Sequence, residues 1–529
     1  MIPLKWWQKG VFYQIYPRSF ADGNGDGIGD LTGIISRLDY LSDLGIDGIW
    51  LSPHYPSPQI DCGYDVADYT GVAPEYGTLD DFHRFLDEAH QRGIRVILDL
   101  VLNHTSDQHP WFLESRSSRD NPKSDWYVWL DGKNGGLPNN WVSGFGGSAW
   151  EYVPERGQFY YHYFFKEQPD LNWRNPEVKE AMFNAMRFWL DMGVDGFRLD
   201  AIGTIFEEPG FPDQQATMSL EELYQAEMSA VSPEERKRLF EQWKLMFQYQ
   251  ADLPGMPELL GELRAVIDEY DDRILVGESE EIAYCAPGML HMVFNFPLMR
   301  TERLTPAWIR QNQQERLSEL AALGLPAPGA WPCNTLGNHD SPRVYSRYGV
   351  PGGSRAQNDA IARQSLALML TLRGTPFLYN GEEIGMVDLF LQDISQFRET
   401  LGTHNYRQAT ERFGILPEMI YPLIVRTTRD KNRTPIQWNG APNAGFSPSG
   451  IQTWLPVHPN FIEGINVAAQ VDDASSLLSF YRRMLRLRRE TPALVAGDYL
   501  PLSIDRYKDD HVLAFLRWVP EQICLVLLN

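Results

Sequence analysis

The stretch VDGFRLDA, residues 194–201, is the segment that most strongly constrains the fold of this protein. It is an apolar run of strand length, and it carries Arg198 and Asp200 at its end. Successive side chains of a strand point to opposite faces, so residues that are two apart point the same way. The stretch therefore predicts a buried strand that presents a guanidinium and a carboxylate on one side.

Seven further segments have the same character. They begin at residues 11, 45, 94, 273, 291, 333 and 375 and read VFYQIYP, GIDGIWLSP, IRVILDLV, RILVGES, HMVFNF, CNTLGNHD and TPFLYNGEE. Between them lie amphipathic segments with apolar residues at three- and four-residue steps, including LTGIISRLDYLSDLG, LDDFHRFLDEAHQRG and PEVKEAMFNAMRFWLDMG. Alternating strands and helices predict parallel pairing through right-handed crossovers. The predicted fold is therefore α/β, a closed (β/α)8 TIM barrel, with an open doubly wound sheet as the alternative.

Two segments interrupt this alternation. Residues 105–168 are rich in Gly, Asn, Trp and Tyr and lack a helical period, which predicts a small inserted domain after the third strand. Residues 206–261 carry charged helical pieces after the fourth strand and are a candidate lid. The predicted domains are the barrel (1–104 and 169–494), the inserted domain (105–168) and a C-terminal β-sandwich (495–529). We expect this last domain to be incomplete. The runs DYLPLSI, HVLAFLRW and ICLVLLN supply the strands of that last domain.

Composition narrows the class of protein. A chain of 529 residues is too long for one ordinary domain, and its 43% hydrophobic content favours large packed cores over disorder. The formal net charge of −23 makes nucleic acid and anionic membranes poor partners, because both would be repelled. The four cysteines are scattered, which favours neither a disulfide framework nor a zinc site.

Targeting signals are not evident in the sequence. The start, MIPLKWWQKGVFYQIY, has no apolar run followed by a small-residue cleavage site, so we expect no signal peptide. Nor does the chain contain eighteen consecutive apolar residues, so we expect no membrane span. These features favour a cytoplasmic protein and leave its oligomeric state open.

Polar residues gather at the ends of four predicted strands, where the active residues of a barrel collect. One acid at such a position could be a helix cap or a turn residue. Several carboxylates brought to one pocket repel each other and destabilise the fold, so function explains them better than structure does. The residues are Asp99 with Asn103 and His104, Arg198 with Asp200, Glu278, and Asn338 with His339 and Asp340.

Glycosidic cleavage needs such a set, without a thiol nucleophile or a metal cage. One carboxylate attacks the anomeric carbon, and a second carboxyl group donates a proton to the leaving oxygen. Arg198 would keep the neighbouring Asp200 ionised and oriented. His104 and His339 could donate hydrogen bonds to sugar hydroxyls.

Motifs along the chain resemble a known family. DLVLNH (99–104), GFRLD (196–200), the GE that ends at Glu278 and NHD (338–340) look like the four signature regions of the α-amylase family of glycoside hydrolases, family 13. The segments QPDLNW, DCGYDVADY and RDKNRTPIQW are similar to the α-glucosidase and oligo-1,6-glucosidase subgroup. The resemblance covers nearly the whole chain, and its motif set is highly specific.

The resemblance implies a role for each matching residue. Asp200 would be the nucleophile, Glu278 the general acid/base, and Asp340 the third carboxylate, which binds the 2- and 3-hydroxyls of the distorted sugar. Asp99 would orient the nucleophile strand, and Gln168 is a weaker candidate for the pocket wall.

The remaining implied contacts are to the terminal glucose. Tyr64 would stack under the sugar ring, while Asp61 and Arg429 would bind the terminal 4-hydroxyl and close the pocket around one glucose. The other residues expected to line this subsite are His104, Arg198 and His339.

The resemblance implies a retaining, exo-acting α-glucosidase that hydrolyses short oligosaccharides such as maltose by double displacement, with transglucosylation as a further capacity. Isomaltase-type relatives usually carry Val directly after the nucleophile, and Ala201 here predicts a preference for α-1,4 over α-1,6 links. The main alternative is a trehalose synthase-like transferase or isomerase on the same scaffold. A non-catalytic transporter subunit and a phosphosugar hydrolase are less favoured, because the acids are present and no added basic cluster is evident.

A metal loop is predicted directly after the first strand, in DGNGDGIGD, residues 22–30. Oxygen donors at alternating positions suit a hard cation, although Gly33 stands where an EF-hand would have its bidentate Glu. A capped Asp-Gly turn is the alternative, and similar loops of the resembled family hold a structural Ca2+ or Mg2+. No organic cofactor is expected. The predicted ligands are Asp22, Asn24, Asp26, the Ile28 carbonyl and Asp30.

Overall fold

The computed structural model describes residues 4–229, 232–324, 330–412, 414–502 and 511–529. In chain order the strands are β1 Phe12–Ile15, β2 Gly48–Leu51, β3 Arg95–Val101, β4 Trp129–Leu130, β5 Trp150–Val153, β6 Gln158–Tyr161, β7 Gly196–Asp200, β8 Ile274–Gly277, β9 Met292–Val293, β10 Cys333–Thr335, β11 Thr375–Tyr379, β12 Asp498–Leu502, β13 Leu513–Val519 and β14 Gln522–Leu528. Each of the eight predicted strand segments of the barrel supplies one strand, so this prediction is confirmed.

The eight strands form one parallel sheet in the order β10-β11-β1-β2-β3-β7-β8-β9. The two ends of this order meet, because Phe294 pairs with Cys333 in a parallel bridge. The amide of Asn295 also donates to the carbonyl of Cys333 at 3.0 Å. The sheet is therefore a closed barrel, and the open doubly wound alternative is wrong.

Helices follow the barrel strands, and further helices lie in the insertions and loops. They are α1 Trp6–Lys9, α2 Pro17–Phe20, α3 Leu31–Ile35, α4 Leu38–Leu44, α5 Leu79–Gln91, α6 Pro110–Ser117, α7 Pro176–Asp191, α8 Leu220–Ser229, α9 Pro233–Phe247, α10 Met256–Ile267, α11 Phe296–Arg300, α12 Pro306–Ala322, α13 Val344–Tyr348, α14 Arg355–Thr371, α15 Thr400–Arg407, α16 Pro417–Thr427, α17 Val467–Gln470, α18 Leu477–Glu490 and α19 Pro492–Ala496. Local sequence sets several of their ends. Helix α5 begins with a capping box in which Thr78 and Asp81 satisfy each other's amides, and α7 begins with Asn175 before a proline.

The barrel interior is filled with large side chains from facing strands. The rings of Phe12 and Phe377 stack with centroids 4.4 Å apart, and Trp50 and Phe294 pack around them. Every residue of β1, β2, β7, β8 and β11 is buried, as expected where helices cover the outer face of a parallel sheet. A core packed this tightly holds the strand ends, and the side chains on them, at fixed positions.

Both insertions contain structure of their own and pack against each other. The first carries the antiparallel sheet β4-β6-β5, and the second carries α8 and α9. Trp141 donates through Nε1 to the carbonyl of Pro212 at 2.7 Å, and the Tyr161 hydroxyl donates to Gln250 at 2.9 Å. The second insertion is therefore held over the barrel by the first. The bounds given above for the domains stay predictions.

The C-terminal region forms the antiparallel sheet β12-β13-β14. Arg517 of β13 is buried and donates to the carbonyl of Thr371 at 2.6 Å, which fastens this sheet to the end of α14. Ser503 and Ile504, the last residues of the predicted run DYLPLSI, lie outside the described residues. All four cysteines are free. Across the described ranges, no helix combines the length and apolarity that a bilayer crossing requires.

Candidate active site

A cavity of about 720 Å³ opens at the carboxyl ends of the barrel strands. Seven of the residues that the sequence predicts for the site line it. They are Asp61, Tyr64, His104, Asp200, Glu278, Asp340 and Arg429. The other two, Arg198 and His339, are buried directly beneath the lining and contact it. The structure thus brings all nine together.

Arg198 is the centre of the charged contacts in this cavity. Its Nη1 lies 2.6 Å from Asp99 Oδ1 and 2.5 Å from Asp200 Oδ1, and its Nη2 lies 2.8 Å from Glu278 Oε2. The guanidinium also lies over the Trp50 ring, 5.0 Å from its centroid. Three carboxylates from three strand ends therefore share one buried cation, which fixes their positions relative to each other.

One cation cannot neutralise three carboxylates. Burial raises the pKa of Asp200, with Glu278 and Asp99 adding to the rise and Arg198 opposing it. Burial likewise raises the pKa of Asp99, again against the effect of Arg198. The cluster therefore holds a proton more readily than isolated carboxylates do, which suits a site that must both attack and donate.

Glu278 follows β8 and is anchored by the residue after Asp200. The amide of Ala201 donates to Glu278 Oε2 at 2.9 Å. Ala201 has φ +44°, in the left-handed region that residues other than glycine rarely adopt. This turn points the amide at Glu278 and couples the two catalytic candidates through the backbone as well as through Arg198.

Asp340 is bordered by two guanidiniums and an imidazole. Arg433 Nη2 lies 2.6 Å from its Oδ1, Arg429 Nη1 3.2 Å from the same oxygen, and His339 Nε2 3.3 Å from Oδ2. Burial alone would raise the pKa of Asp340, but the guanidiniums of Arg429 and Arg433 outweigh it and hold that pKa well below its usual range. Asp340 is therefore ionised at neutral pH, ready to accept hydrogen bonds from sugar hydroxyls.

An ion-pair chain forms part of the cavity lining. Arg429 Nη2 contacts Asp61 Oδ1 at 2.7 Å, and the Arg429 Nε contacts Glu399 Oε1. Glu399 also accepts hydrogen bonds from the Thr428 hydroxyl and the Arg429 amide, both at 2.7 Å. Asp61 and Arg429 are thus held together in the cavity lining.

The two histidines are neutral. Burial lowers the pKa of His104 to about 4, and burial also lowers the pKa of His339 well below its usual range. His339 lies between Gln14 and Tyr64, with its Nδ1 2.7 Å from Gln14 Nε2 and its Nε2 2.6 Å from the Tyr64 hydroxyl. The rings of Tyr64 and His339 stack with centroids 5.3 Å apart. A neutral imidazole can donate to a sugar hydroxyl without adding charge.

Asp99 and Gln168 lie behind the cavity. Asp99 accepts from Trp50 Nε1 at 3.1 Å and from the Tyr64 hydroxyl at 3.0 Å, in addition to its pair with Arg198. Gln168 is fully buried and lies 3.2 Å from Asp61 and 2.9 Å from His104 through its Nε2. Both side chains orient lining residues rather than facing the cavity themselves.

Several residues of the site did not follow from the strand-end motifs. Arg433 stands within RDKNRTPIQW, four residues after Arg429, so its place in that motif was the available signal. Glu399 had no such signal. The remaining lining residues come from the two insertions, from the loops after β7 and β8 and from α11, and these are Phe145, Phe164, Ala201, Gly203, Thr204, Phe240, Ala251, Asp252, Ser279, Glu280, Glu281, Phe296 and Arg300.

In the predicted metal loop, side-chain oxygens accept hydrogen bonds from main-chain amides of the same loop. Asp22 accepts from the amides of Gly25 and Gly27, and Asp26 accepts from that of Ile28. Asp30 accepts from three amides and caps α3. Within the described ranges, no three His, Cys, Asp or Glu side chains come together as a metal-binding group. A carboxylate oxygen that accepts one amide keeps a lone pair, so these amide contacts leave the oxygens of the loop able to accept a further partner.

The arrangement has a defined chemical capacity. Two carboxylates, Asp200 and Glu278, face one cavity from the two terminal nitrogens of one guanidinium. A third, Asp340, is held ionised beside them, and neutral histidines and a tyrosine surround the pocket. Such a set can stabilise positive charge on a bound sugar ring, attack its anomeric carbon and move one proton to a leaving oxygen.

Comparison with known proteins gives consistent results. The family model "Alpha amylase, catalytic domain" matches residues 14–497. An oligo-1,6-glucosidase of Parageobacillus thermoglucosidasius is 39% identical over 543 residues, covering 99% of this chain and 90% of that protein. A probable alpha-glucosidase of Rhizobium meliloti (strain 1021) is 42% identical over 504 residues, covering 93% and 84%. The crystal structure of an isomaltulose synthase mutant from Erwinia rhapontici NX5, in complex with its natural substrate sucrose, superposes with a TM-score of 0.85 at 37% identity and covers 100% of this chain and 90% of its own.

Replacing Arg198 with Leu leaves Asp99, Asp200 and Glu278 buried without their cation. We expect a loss of stability of about 3–5 kcal/mol at neutral pH. Carboxyl groups whose pKa is raised in the folded state bind more protons there, so stability falls as pH rises. The melting-temperature gap between wild type and Arg198→Leu should therefore widen from pH 5 to pH 8. Arg236→Leu, at an exposed position on α9, is the control. A gap that stayed constant or narrowed with pH would contradict the shared-cation description.

Proposed function

We propose that this chain, which belongs to the α-amylase family of glycoside hydrolases, is a retaining, exo-acting α-glucosidase. The chain is a glycoside hydrolase, and its substrate class is small α-glucosides. The observation that carries the finer proposal is the pair of carboxylates, Asp200 and Glu278, on the two terminal nitrogens of Arg198. The remaining elements of the proposal follow from the surroundings of this pair.

The proposed reaction has two displacements. In the first, Asp200 attacks the anomeric carbon, the glycosidic C–O bond breaks, and Glu278 transfers its proton to the leaving oxygen. This gives a glucosyl ester on Asp200. In the second, Glu278 removes a proton from water, the water oxygen attacks the anomeric carbon, and the ester bond breaks to release glucose with its original α configuration.

The spacing of the carboxylates supports retention. Retaining enzymes hold their two carboxyl groups about 5–5.5 Å apart, whereas inverting enzymes leave room for a water at about 6.5–9.5 Å. Attachment of Asp200 and Glu278 to one guanidinium, together with the Ala201 amide on Glu278, favours the closer spacing. Asp340, with its pKa lowered by Arg429 and Arg433 against the effect of burial, would bind the 2- and 3-hydroxyls of the distorted ring.

Exo action is supported by the ion pairs in the cavity lining. In the proposal, the Asp61–Arg429 pair, backed by Glu399, stops a glucan chain from extending past one glucose. In the proposal this pair recognises the terminal 4-hydroxyl, Tyr64 stacks beneath the ring, and His104 and His339 donate to ring hydroxyls. Phe145 lies near Arg429, with the guanidinium 5.9 Å from its centroid, and adds an apolar wall to this subsite.

Linkage preference rests on Ala201, which lines the cavity directly after the nucleophile. Its methyl group leaves more space beside the scissile bond than the Val of isomaltase-type relatives would. We propose that this space accepts the secondary oxygen of an α-1,4 link.

We expect kcat/KM for maltose to exceed that for isomaltose by about tenfold, the scale of discrimination that small apolar differences provide. The measurement is product chromatography over maltose, isomaltose, sucrose, trehalose and nigerose at equal concentrations. In Ala201→Val the ratio should move toward isomaltose, because the added methyl groups fill the space. Isomaltose cleaved much faster than maltose by the wild-type enzyme would refute the α-1,4 assignment.

A second candidate is an α-glucosyl transferase or isomerase, favoured by the likeness to the sucrose complex of an isomaltulose synthase. Both activities form the same glucosyl ester, and they differ in whether water or a sugar hydroxyl attacks it. Products formed from concentrated maltose or sucrose separate them. Glucose as the main product supports the hydrolase, whereas rearranged disaccharides or longer oligosaccharides as main products support the transferase.

For the loop of residues 22–30 we propose a structural Ca2+ or Mg2+ held by Asp22, Asn24, Asp26, the Ile28 carbonyl and Asp30. The cation would stiffen the turn after β1, and it takes part in no chemical step. We expect a chelator to remove bound metal and to lower the melting temperature, and added Ca2+ to restore it, since a ligand of the folded state stabilises it. Asp26→Ala should abolish the response. Metal content and melting temperature that both ignore the chelator would refute the site.

We also propose a cytoplasmic location. The four cysteines are free, as is usual where thiols are kept reduced. Small α-glucosides would then reach the enzyme after uptake by the cell.

A further inference from the structure

We propose that a second cavity, at the amino ends of the barrel strands, binds a small phosphate ester that carries an organic ring. This second cavity has a volume of about 750 Å³, and it shares none of its described lining residues with the catalytic cavity. Its ligand is independent of the proposed function, because this part of the molecule contributes no group to the reaction.

The position of the second cavity follows from where its lining residues stand in the barrel. Val11 and Asp47 directly precede β1 and β2, Arg95 begins β3, and Asp272 lies two residues before β8. The carboxylates of the catalytic cavity stand at the other ends of the parallel strands, as Glu278 does after β8. The two cavities are therefore on opposite sides of the barrel, and a ligand in the second one would not contact the reacting sugar.

The lining of the second cavity is rich in cations, although the whole chain has a formal net charge of −23. Asp47 and Asp272 are the carboxylates among its described lining residues. A concave surface with an excess of one charge attracts ligands of the opposite charge and raises their local concentration. The second cavity therefore favours an anion. The cations that line it are Lys5, Lys9, Arg95, Arg488 and Arg489.

Arg488 is a buried cation that no carboxylate contacts within the described residues. Its Nη1 donates to the carbonyls of Leu370 at 2.7 Å and Leu494 at 3.0 Å, and its Nη2 donates to that of Gly374 at 2.7 Å. Its Nε has no partner in the described part of the chain. Burial lowers the pKa of Arg488 to about 10, with Asp47 opposing this shift, so the guanidinium is charged at neutral pH. An anion in the cavity that Arg488 lines would compensate this charge.

Two cations of the lining have donors available for such an anion. Lys9 is exposed, and no carboxylate of the described ranges pairs with it. Arg489 contacts Asp47 at 2.8 Å and the Gly45 carbonyl at 3.0 Å, both through Nη2, so its Nε and Nη1 remain available as far as the chain is described. Ammonium and guanidinium groups are the usual partners of phosphate oxygens. A phosphate monoester carries a charge of about −1.5 to −2 at pH 7, which suits several cations better than a single carboxylate would.

An aromatic ring adjoins these cations. Trp6 lines the second cavity, and its Nε1 donates to the carbonyl of Asp272 at 2.9 Å, which fixes the orientation of the indole. The guanidinium of Arg95 lies 5.8 Å from the centroid of this ring. Leu485 and Val495 add apolar surface to the same lining. Charged and aromatic surfaces side by side fit a ligand that joins a phosphate group to a sugar or nucleobase ring.

The test is calorimetric titration of the enzyme with glucose 6-phosphate, AMP, inorganic phosphate and glucose. At least one of the two esters should bind about tenfold more tightly than inorganic phosphate. In Lys9→Glu and in Arg489→Gln, the Kd of that ester should rise about 10- to 100-fold, the scale of a hydrogen bond between charged groups. Lys237→Glu makes the same change of charge as Lys9→Glu at an exposed position on α9, and it should leave the Kd as in wild type.

A second titration separates the two cavities. In Asp200→Asn enzyme saturated with maltose, the Kd of the ester should be the same as without maltose. Competition between maltose and the ester would place the ester in the catalytic cavity and overturn the proposal.

Three other results would also overturn the proposal. Neither ester might bind at millimolar concentration, or inorganic phosphate might bind as tightly as both esters, which would leave the ring without a role. Equal losses of affinity in Lys9→Glu and Lys237→Glu would attribute binding to the net charge of the protein rather than to this cavity.

Discussion

The site depends on one buried cation shared by three carboxylates. Arg198 holds Asp99, Asp200 and Glu278 within hydrogen-bond distance, and without it these acids would repel each other inside the barrel. The barrel makes the arrangement possible, because β3, β7 and β8 are neighbours whose carboxyl ends meet on one face. Packing around Phe12, Trp50 and Phe377 then keeps those ends in register. The contacts with Arg198 therefore set both the positions of these carboxylates and the balance of charge in the site.

Two parts of the cavity lining have opposite electrostatic character. Around Asp340 the cations Arg429 and Arg433 dominate, and they lower the pKa of that carboxyl against the effect of burial. Beyond Glu278 the lining is acidic, with Arg300 already paired. Asp61 and Arg429 come from barrel loops, whereas the acidic part of the lining comes from the loop after β8 and from the second insertion.

The barrel was predictable from sequence because its strands are short apolar runs with distinct helical segments between them. The charged candidates were predictable because they stand at strand ends, as Asp200 and Glu278 do, and all nine candidates meet in the structure. Glu399 and Asp252 were not predictable from the sequence. Tertiary folding brings each of them to the site, and no local sequence pattern indicates it. Closure of the sheet at Phe294 and Cys333 also needed coordinates, because a single bridge leaves no period in the sequence. The predicted 31–45 helix is two helices, α3 and α4, separated at residues 36–37.

The most direct test of the account is the identity of the carboxylate that becomes glucosylated. The substrate 5-fluoro-α-glucosyl fluoride forms a fluoroglucosyl ester on the enzyme that breaks down slowly. Proteolysis followed by mass spectrometry then locates the residue that carries the fluoroglucosyl group. The account predicts one fluoroglucosyl group per chain, on the peptide that contains Asp200, and none in Asp200→Asn. A label on Glu278 or Asp340, or turnover to β-glucose without any covalent adduct, would contradict it.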